Sequence, residues 1–318
     1  MYILKQLPED FVVEEIMPLG KPTGGDYAYC SMTKRCLTTF QAAVFLARAL
    51  KIPQKFVKYS GNKDKDAVTT QTISICKTSE ERLGSVAVKN LKLDFLGYFK
   101  EPVFIGMHKA NRFIITARNI ESPPKHLSRF INYFGKQRFS HNNVDVGRSI
   151  VKKDFALAAS LLSIQGNEKI ASHLKAHPND FVGAIRMVPK SLVKLCVHSF
   201  QSHIWNKAAV EISKQTPQTK QLKIVGFATD LEDDDASRVI RSILKVENVS
   251  INDFVIRQLP EFSVEGQERD IFSDVSDLKV KGLEDDDLNP GKKKCVLTFT
   301  LPKGSYATVL VDQMFGKT

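Results

Sequence analysis

Apolar residues follow two different periods along this chain, and the period changes from its ends to its middle. Residues 1–16 have the β-branched and aromatic character of a strand around Phe11-Val12-Val13. Residues 39–50 repeat apolar side chains at the i, i+3, i+4, i+7 spacing of a helix, with Thr39 as the predicted N-cap. The predicted buried face of this helix consists of Phe40, Ala43, Val44, Ala47 and Leu50.

The rest of the first half is predicted to form short strands, and the middle of the chain to form helices. Strand-like segments lie at residues 56–60, 72–76, 86–99 and 102–118, with a helix at 125–134. Helical segments fill 148–213, a polar linker follows at 214–223, a helix at 236–246, and strand character returns at 294–300 and 306–310. Strand-rich ends around a helix-rich middle indicate an α+β chain, with a largely antiparallel sheet and an insertion within a discontinuous domain.

The balance of charge narrows the classes of partner. The 318 residues contain 46 Lys and Arg against 35 Asp and Glu, which gives a formal net charge of +11 and an isoelectric point near 9.3. Such a surplus favours polyanionic partners, nucleic acid first, although a merely basic protein has the same charge. The length, with 42% hydrophobic residues, allows about two domains and a sizeable core.

Membrane, secreted and metal-dependent classes receive no support from the sequence. No apolar run approaches the roughly 18 residues that span a bilayer, and the start turns acidic without the apolar core of a signal peptide. The five cysteines are odd in number and lack metal-ligand spacing, which predicts reduced thiols in the cytoplasm and no metal. The acidic clusters at 232–235 and 284–287 lack the ligand spacing of a calcium loop and are interpreted as exposed loops.

The segment Gly61–Gln71 carries the strongest candidate chemistry. It lies between two predicted strands and is therefore predicted to form a loop, which Gly61 opens with a positive φ. Asp64 stands between Lys63 and Lys65, whose charges favour its ionised form, and such a carboxylate can act as a nucleophile or a base. From these charges alone, however, a solvated turn is the default interpretation.

Four separated segments form a set of motifs. Gly61–Gln71 reads G-x-K-D-x-x-A-x-T-x-Q. The others are Lys5–Glu15 (K-x-x-P-E-D-F-x-V-x-E), Asn132–Phe139 (N-Y-F-G-x-Q-R-F) and Leu301–Thr308 (L-P-x-G-S-Y-A-T). Together, and in this order, they resemble the motifs of the TruD family of tRNA pseudouridine synthases. Ser140 departs from the third motif, where a glycine usually follows.

The resemblance implies a fold, a division into domains and a reaction. The implied fold is α+β, a pseudouridine-synthase fold with a mostly antiparallel mixed sheet, plus an inserted α+β TRUD domain. We expect residues 1–148 and 267–318 to form the catalytic domain and residues 149–266 the insertion. The implied isomerase converts uridine to pseudouridine in tRNA, with uridine 13 as the expected target, although relatives also modify other RNAs. It is expected to be a cytoplasmic monomer without a cofactor, a membrane or an obligatory protein partner.

The resemblance also assigns the catalytic residues by motif position. Asp64 corresponds to the essential carboxylate, which acts at the ribose C1′ or C2′ after the base has flipped out of its stack. Addition to C1′ and removal of the 2′ proton, which gives a glycal, are both open routes. Phe11 corresponds to the aromatic residue that packs against the target base, and Lys5 to the basic partner of the carboxylate. Asp66 is not a fixed position of the motif.

Contacts with the nucleotide and with the RNA backbone are expected elsewhere. The substrate-binding candidates are Asn132, Phe134, Lys63 and Arg138. Phosphate contacts, which give affinity without sequence preference, are expected from basic residues beside the motif loops. These residues are Lys34, Arg35, Lys51, Lys55, Lys58, Lys109, Arg112, Lys136 and Arg138.

Two other functional classes stay open. A non-catalytic RNA-binding or RNA-folding protein could keep this fold, although the intact Asp64 and Phe11 weigh against it. A metal-dependent nuclease built on Asp285–Asp287 would need a ligand geometry that the sequence does not show. For single residues an ordinary structural role also stands, with Phe11 in the core and Lys5 solvated.

Overall fold

The computed structural model describes residues 2–139, 142–216 and 218–317, and the chain forms two compact units. Unit 1 contains Met1–Phe130, Asp274–Ala307 and Val311–Thr318, and unit 2 contains Ile131–Ser273 and Thr308–Leu310. The units divide at 130/131 and 273/274, whereas the domain boundaries were expected at 148/149 and 266/267. Which unit corresponds to which functional domain stays a prediction.

Strands and helices alternate at the ends of the chain, and helices dominate its middle. The strands are β1 (Phe11–Ile16), β2 (Tyr27–Arg35), β3 (Val57–Tyr59), β4 (Val68–Cys76), β5 (Leu91–Phe99), β6 (Ala110–Ile120), β7 (Arg129–Ile131), β8 (Gln221–Ile224), β9 (Gln267–Asp270), β10 (Phe272–Asp274), β11 (Ser276–Asp285) and β12 (Lys293–Pro302). The helices are α1 (Thr39–Ala49), α2 (Glu80–Gly84), α3 (Asn143–Val151), α4 (Phe155–Ile164), α5 (Glu168–Ala176), α6 (Phe181–Arg186), α7 (Lys190–Gln215), α8 (Asp235–Glu247) and α9 (Ala307–Met314). In the described part of the chain, none of these helices is long and apolar enough to cross a membrane.

Unit 1 is built on a mixed sheet with the strand order β11-β12-β6-β1-β4-β2-β5, and β3 pairs beside β4. The pair β1–β4 is parallel, with Val12 opposite Val68, whereas the other recorded pairs of this sheet are antiparallel. The mostly antiparallel mixed sheet that the sequence predicts is therefore confirmed. Helix α1 packs on this sheet through a cluster that includes Leu46 and the strand residues Met32 and Ile73.

The predicted helix at 39–50 is confirmed, but its N-cap and its buried face differ from the prediction. Thr38 is the N-cap: its hydroxyl accepts a hydrogen bond from Gln41 N, and the Gln41 side chain accepts one from Thr38 N. This capping box satisfies two donors at the helix start. Thr39 is buried instead, because it bonds to Gln71, and Phe40 on the adjoining face is 56% exposed.

Three other segments differ from the prediction. Residues 125–134 contain the strand β7 and no helix, and residues 306–310 begin helix α9 where a strand was expected. The last four residues of Gly61–Gln71 belong to β4, so the loop is shorter than predicted. Short apolar runs do not distinguish a strand from a helix by periodicity alone, which explains the error at α9.

Unit 2 is organised around α7, which carries the buried residues Phe200, Ile204 and Trp205. Helix α3 approaches α7 closely at Gly147, where an added Cβ would lie 2.0 Å from the carbonyl oxygen of Cys196. Glycine is therefore required at this crossing for steric reasons.

A buried carboxylate at the end of α8 connects three elements of unit 2. Glu247 accepts hydrogen bonds from Arg148 (2.9 Å), Lys207 (2.7 Å) and His203 (3.2 Å). Burial raises the pKa of Glu247, but the hydrogen bonds from Lys207 and Arg148 outweigh it and lower the pKa to about 2. A folded-state pKa below the ordinary value of 4.5 stabilises the fold above that value, and the stabilisation is lost as the pH falls towards 2.

We expect Glu247→Gln to lower the free energy of unfolding at pH 7 by about 1–3 kcal/mol, because three donors lose their charged acceptor. The variant should also lose less stability than the wild type as the pH falls from about 4.5 to 2. Urea unfolding followed at a series of pH values measures both effects. Glu211→Gln, an exposed position on α7, is the matched control. Parallel acid profiles for wild type and Glu247→Gln would contradict the prediction.

Candidate active site

The topology of unit 1 brings three distant segments to one edge of the sheet, the edge formed by the ends of its inner strands β1, β4 and β2. Because β1 and β4 are parallel, the start of β1 at Phe11 and the loop that leads into β4 lie at the same edge. Strand β2 runs antiparallel to β4, so it ends at this edge, with Lys34 opposite Thr69. The N-terminal segment, the loop before β4 and the end of β2 thus meet there.

The three catalytic candidates are in contact at this edge. The Lys5 Nζ atom lies 2.6 Å from Asp64 Oδ2, and the two side chains are 23% and 35% exposed. The same ammonium lies 4.2 Å from the centroid of the Phe11 ring, within the range of a cation–π contact. Lys5 has a φ of 58°, a left-handed conformation that is unfavourable for residues with a side chain. The surrounding structure therefore holds Lys5 in place at an energetic cost.

Phe11 belongs to the core as well as to this cluster. Its side chain is only 3% exposed, and its ring meets Phe113 edge-on at 6.2 Å between centroids. The ordinary interpretation of a strand phenylalanine is therefore correct, and the contact with Lys5 comes in addition to it.

Hydrogen bonds through Thr39 and Gln71 fix the course of the loop. Thr39 Oγ1 accepts from Lys63 N at 2.9 Å and donates to Gln71 Oε1 at 2.9 Å. Gln71 Nε2 in turn donates to the carbonyl oxygen of Gly61 at 3.0 Å. The predicted positive φ of Gly61 is wrong: its backbone lies outside that region, and a Cβ there would only touch the His108 ring at 3.5 Å.

Lys63 points into the protein. Its Nζ atom lies 2.8 Å from Glu15 Oε2, with both side chains buried, and donates to Asn111 Oδ1 at 2.7 Å. Glu15 also accepts from Ser60 Oγ at 2.5 Å and from Thr72 N at 3.2 Å. This buried pair anchors the loop to β1 and β6, while the expected contact of Lys63 with substrate stays a prediction.

Lys34 lies next to the site, although the sequence placed it among the surface phosphate contacts. That expectation is wrong, because its side chain is fully buried and its Nζ atom donates to the carbonyl oxygens of Leu37 (2.5 Å) and Asp64 (2.8 Å). Burial lowers the pKa of Lys34 to about 8, against the attraction of Asp64. A signal was present in the sequence: Lys34 continues the alternation of the apolar residues Cys30 and Met32 along β2.

The second aspartate of the loop is in a different environment. Asp66 is exposed, and within the described part of the chain it forms no ion pair. Of the two carboxylates of this loop, Asp64 is the one that pairs with Lys5, whose ammonium also contacts the Phe11 ring.

The other substrate-binding candidates lie in unit 2 and surround Phe134. Asn132 is 6% exposed, and its Oδ1 atom accepts from Arg269 Nη2 at 2.7 Å. The Phe134 ring lies 4.3 Å from the guanidinium of Arg269 and 4.9 Å from that of Arg138, and it meets Trp205 edge-on. The structure thus gathers Asn132, Phe134 and Arg138 in one cluster. Its neighbour Ser140, at the departure from the motif, is outside the described residues.

The acidic cluster at 284–287 is exposed at Glu284, Asp285 and Asp287, as the sequence predicted, but Glu284 and Asp285 end strand β11 and Asp286 is buried. Asp286 is only 6% exposed, and it accepts hydrogen bonds from Arg118 and from the backbone of Asn119. Asp287 also accepts from Arg118. These carboxylates serve as partners of a buried cation. Across residues 2–139, 142–216 and 218–317, no three His, Cys, Asp or Glu side chains form a group suited to a metal.

Comparison with known proteins decides the family. Residues 2–169 and 207–314 match the family described as tRNA pseudouridine synthase D (TruD). The chain belongs to the TruD family. The resemblance that the four motifs carry is thereby confirmed, as is the enzyme class, since a TruD pseudouridine synthase is an isomerase.

Relatives of the TruD family match the chain over nearly its whole length. A Methanosarcina mazei protein named "Probable tRNA pseudouridine synthase D" is 30% identical over 405 residues, covering 98% of this chain and 92% of that protein. A Methanosarcina acetivorans protein of the same name is 30% identical, with coverages of 98% and 91%. Since the aligned region is longer than the 318 residues of this chain, these TruD relatives contain segments that it lacks.

A solved TruD structure confirms the predicted fold class. The crystal structure of a Methanosarcina mazei protein that carries the name tRNA pseudouridine synthase D (TruD) superposes with a TM-score of 0.78. It is 27% identical and covers 98% of this chain and 92% of its own. The α+β fold with its mixed sheet is therefore a TruD fold.

Proposed function

We propose that this TruD-family protein isomerises uridine to pseudouridine in tRNA, with Asp64 as the carboxylate that acts on the ribose. The observation that carries the proposal is the contact of Lys5 with Asp64 beside Phe11, at an edge where three chain segments meet. The fixed motif position of Asp64 supports the same assignment. A cytoplasmic, monomeric enzyme without a protein partner is the setting that we infer for it.

The reaction requires stabilisation of positive charge at the sugar. The N1–C1′ bond breaks, the uracil turns, C5 joins C1′, and the proton leaves C5 while N1 gains one. Asp64 can add to C1′ or remove the 2′ proton, and in both routes an ionised carboxylate stabilises the charge that develops. Lys5 orients this carboxylate through its hydrogen bond at 2.6 Å.

The remaining candidates fit a role in holding the RNA. A flipped base leaves its stack at a cost of a few kcal/mol, which contacts with aromatic and amide groups offset. We assign this role to the cluster of Asn132, Phe134 and Arg138 in unit 2. Unit 1 is proposed as the catalytic domain and unit 2 as the TRUD domain. Exposed cations such as Lys55 and Lys58 are proposed to meet phosphates.

The experiment that tests the proposed function is incubation of the protein with unmodified tRNA, followed by mapping with carbodiimide-blocked primer extension. We expect one new stop, at uridine 13, and none in a tRNA in which that uridine is replaced by cytidine. A stop at another uridine would overturn the choice of target and keep the synthase. Failure to modify any RNA that the protein binds would favour the non-catalytic RNA-binding alternative.

A further inference from the structure

Lys34 places a buried cation against the main chain of the loop that carries the proposed catalytic carboxylate. Its side chain is fully buried in the sheet of unit 1, and its ammonium donates to the carbonyl oxygens of Asp64 and of Leu37. We propose that Lys34 is a positioning residue, which fixes the backbone of Asp64 so that the carboxylate faces the ribose. This inference rests on the function proposed above for Asp64.

The backbone around Asp64 is fixed from both sides by one short segment at the end of β2 and the start of α1. The N–H of Lys63 donates to Thr39 Oγ1, and the carbonyl of Asp64 accepts from Lys34 Nζ. A third bond runs from Cys36 N to the carbonyl oxygen of Ala67 at 3.3 Å, where the loop enters β4. Because the bond from Lys34 is the one made by the backbone of Asp64 itself, its loss would free that residue most directly.

The contact of Lys5 alone cannot perform this role. Lys5 holds one carboxylate oxygen of Asp64, but it does not hold the main chain from which the side chain extends. A carboxylate that must meet C1′ or the 2′ proton has to be fixed within a fraction of an ångström, since a displacement of about 1 Å can lower a rate about a hundredfold. Lys34 supplies this second point of attachment.

The charge of Lys34 provides a readout that a purely structural contact lacks. The charged or titratable groups that act on its ammonium are Asp64, which favours the charged form, Lys63, which opposes it, and Cys36. Burial is the largest cause and, together with Lys63, it outweighs Asp64 and Cys36, so that the pKa of Lys34 is lowered from 10.5 to about 8. The ammonium is therefore present below about pH 8 and is lost as the pH rises through that value. A step that depends on Lys34 should slow over the same range.

The test compares Lys34→Met and Lys34→Arg with the wild type in single-turnover pseudouridine formation on tRNA between pH 6.5 and 9.5. We expect Lys34→Met to lower the rate at pH 7 about a hundredfold, with a tRNA dissociation constant within about twofold of the wild type. The alkaline fall of the wild-type rate near pH 8 should disappear in Lys34→Met and move to higher pH in Lys34→Arg.

The matched control is Lys153→Met in unit 2. Lys153 is partly buried, and like that of Lys34 its ammonium donates to two main-chain carbonyls, those of Val151 and Asp253, while burial likewise lowers its pKa. Its loss should lower stability and leave the rate of the folded protein and the pH profile unchanged. Equal rates for Lys34→Met and Lys153→Met, both measured on folded protein, would overturn the inference.

Two further measurements distinguish failure of this inference from failure of the proposed function and from unfolding of the Lys34 variants. If both Lys34 variants unfold, the wild-type profile still decides, because a rate that does not fall between pH 7 and 9.5 contradicts a role for the Lys34 ammonium. If instead the wild type forms no pseudouridine, or Asp64→Asn forms as much as the wild type, the proposed function fails before Lys34 is tested.

Discussion

Replacing Asp64 by asparagine is expected to lower the rate of pseudouridine formation by at least about a thousandfold. Asparagine has nearly the same shape, but it can neither add to C1′ as a carboxylate nor accept the 2′ proton. It also removes the negative charge that stabilises the charged sugar. Because the change removes no contact with a phosphate, the dissociation constant for tRNA should stay within about twofold.

The second aspartate of the same loop provides the control for this experiment. Asp66 is exposed and lies two positions away, so Asp66→Asn changes the charge of the loop equally without touching Lys5. Single-turnover assays on unmodified tRNA, with binding measured by filter retention, compare the two variants. If Asp64→Asn and the wild type gave equal product, the assignment of Asp64 would be wrong. A large loss in Asp66→Asn would point to the charge of the loop rather than to one carboxylate.

The sequence predicted the members of the catalytic cluster through its motifs, but it could not predict their arrangement. Lys5 and Asp64 are 59 positions apart, and they meet because β1 and β4 pair in parallel at the centre of the sheet. No local pattern encodes this pairing, since a parallel pair depends on a crossover that separates the strands in the chain. The amphipathic pattern of α1, by contrast, is local, and that helix was found.

Buried charges were the main class of residue that sequence reasoning placed wrongly. Lysine and aspartate are almost always exposed unless paired, so Lys34 and Asp286 were expected at the surface. Each is buried because a partner far away in the chain satisfies it: the carbonyl of Asp64 for Lys34, and Arg118 for Asp286. Phe40 shows the opposite error: it is 56% exposed, because the face of α1 that packs inward consists of Ala42, Ala43, Leu46 and Ala47, together with Thr39, which bonds to Gln71.

A second network, around Arg118 in β6, connects Asp10 of the first motif to Asp286 and Asp287, which follow β11. The Arg118 side chain is 6% exposed, and its Nε atom lies 3.0 and 2.9 Å from the two carboxylate oxygens of Asp10. Its Nη1 atom donates to Asp286 at 2.9 Å and to Asp287 at 2.8 Å. Asp10 also accepts from Leu7 N, so the turn that leads from Lys5 into β1 depends on this network.

Arg118→Met is expected to lower the free energy of unfolding by about 3–5 kcal/mol, because it leaves Asp10 and Asp286 buried without their cation. Methionine keeps much of the apolar volume, so the loss reports the missing charge more than a cavity.

Urea unfolding at pH 7 measures the loss of stability in Arg118→Met, and Arg112→Met in the same strand is the control. Arg112 pairs with Glu14 at 3.6 Å on the exposed side, where ion pairs contribute about 0–1 kcal/mol. Equal losses in the two variants would show that the buried network contributes no more than a surface pair. Adding Asp286→Asn to Arg118→Met should recover part of the loss, because it removes one of the stranded charges.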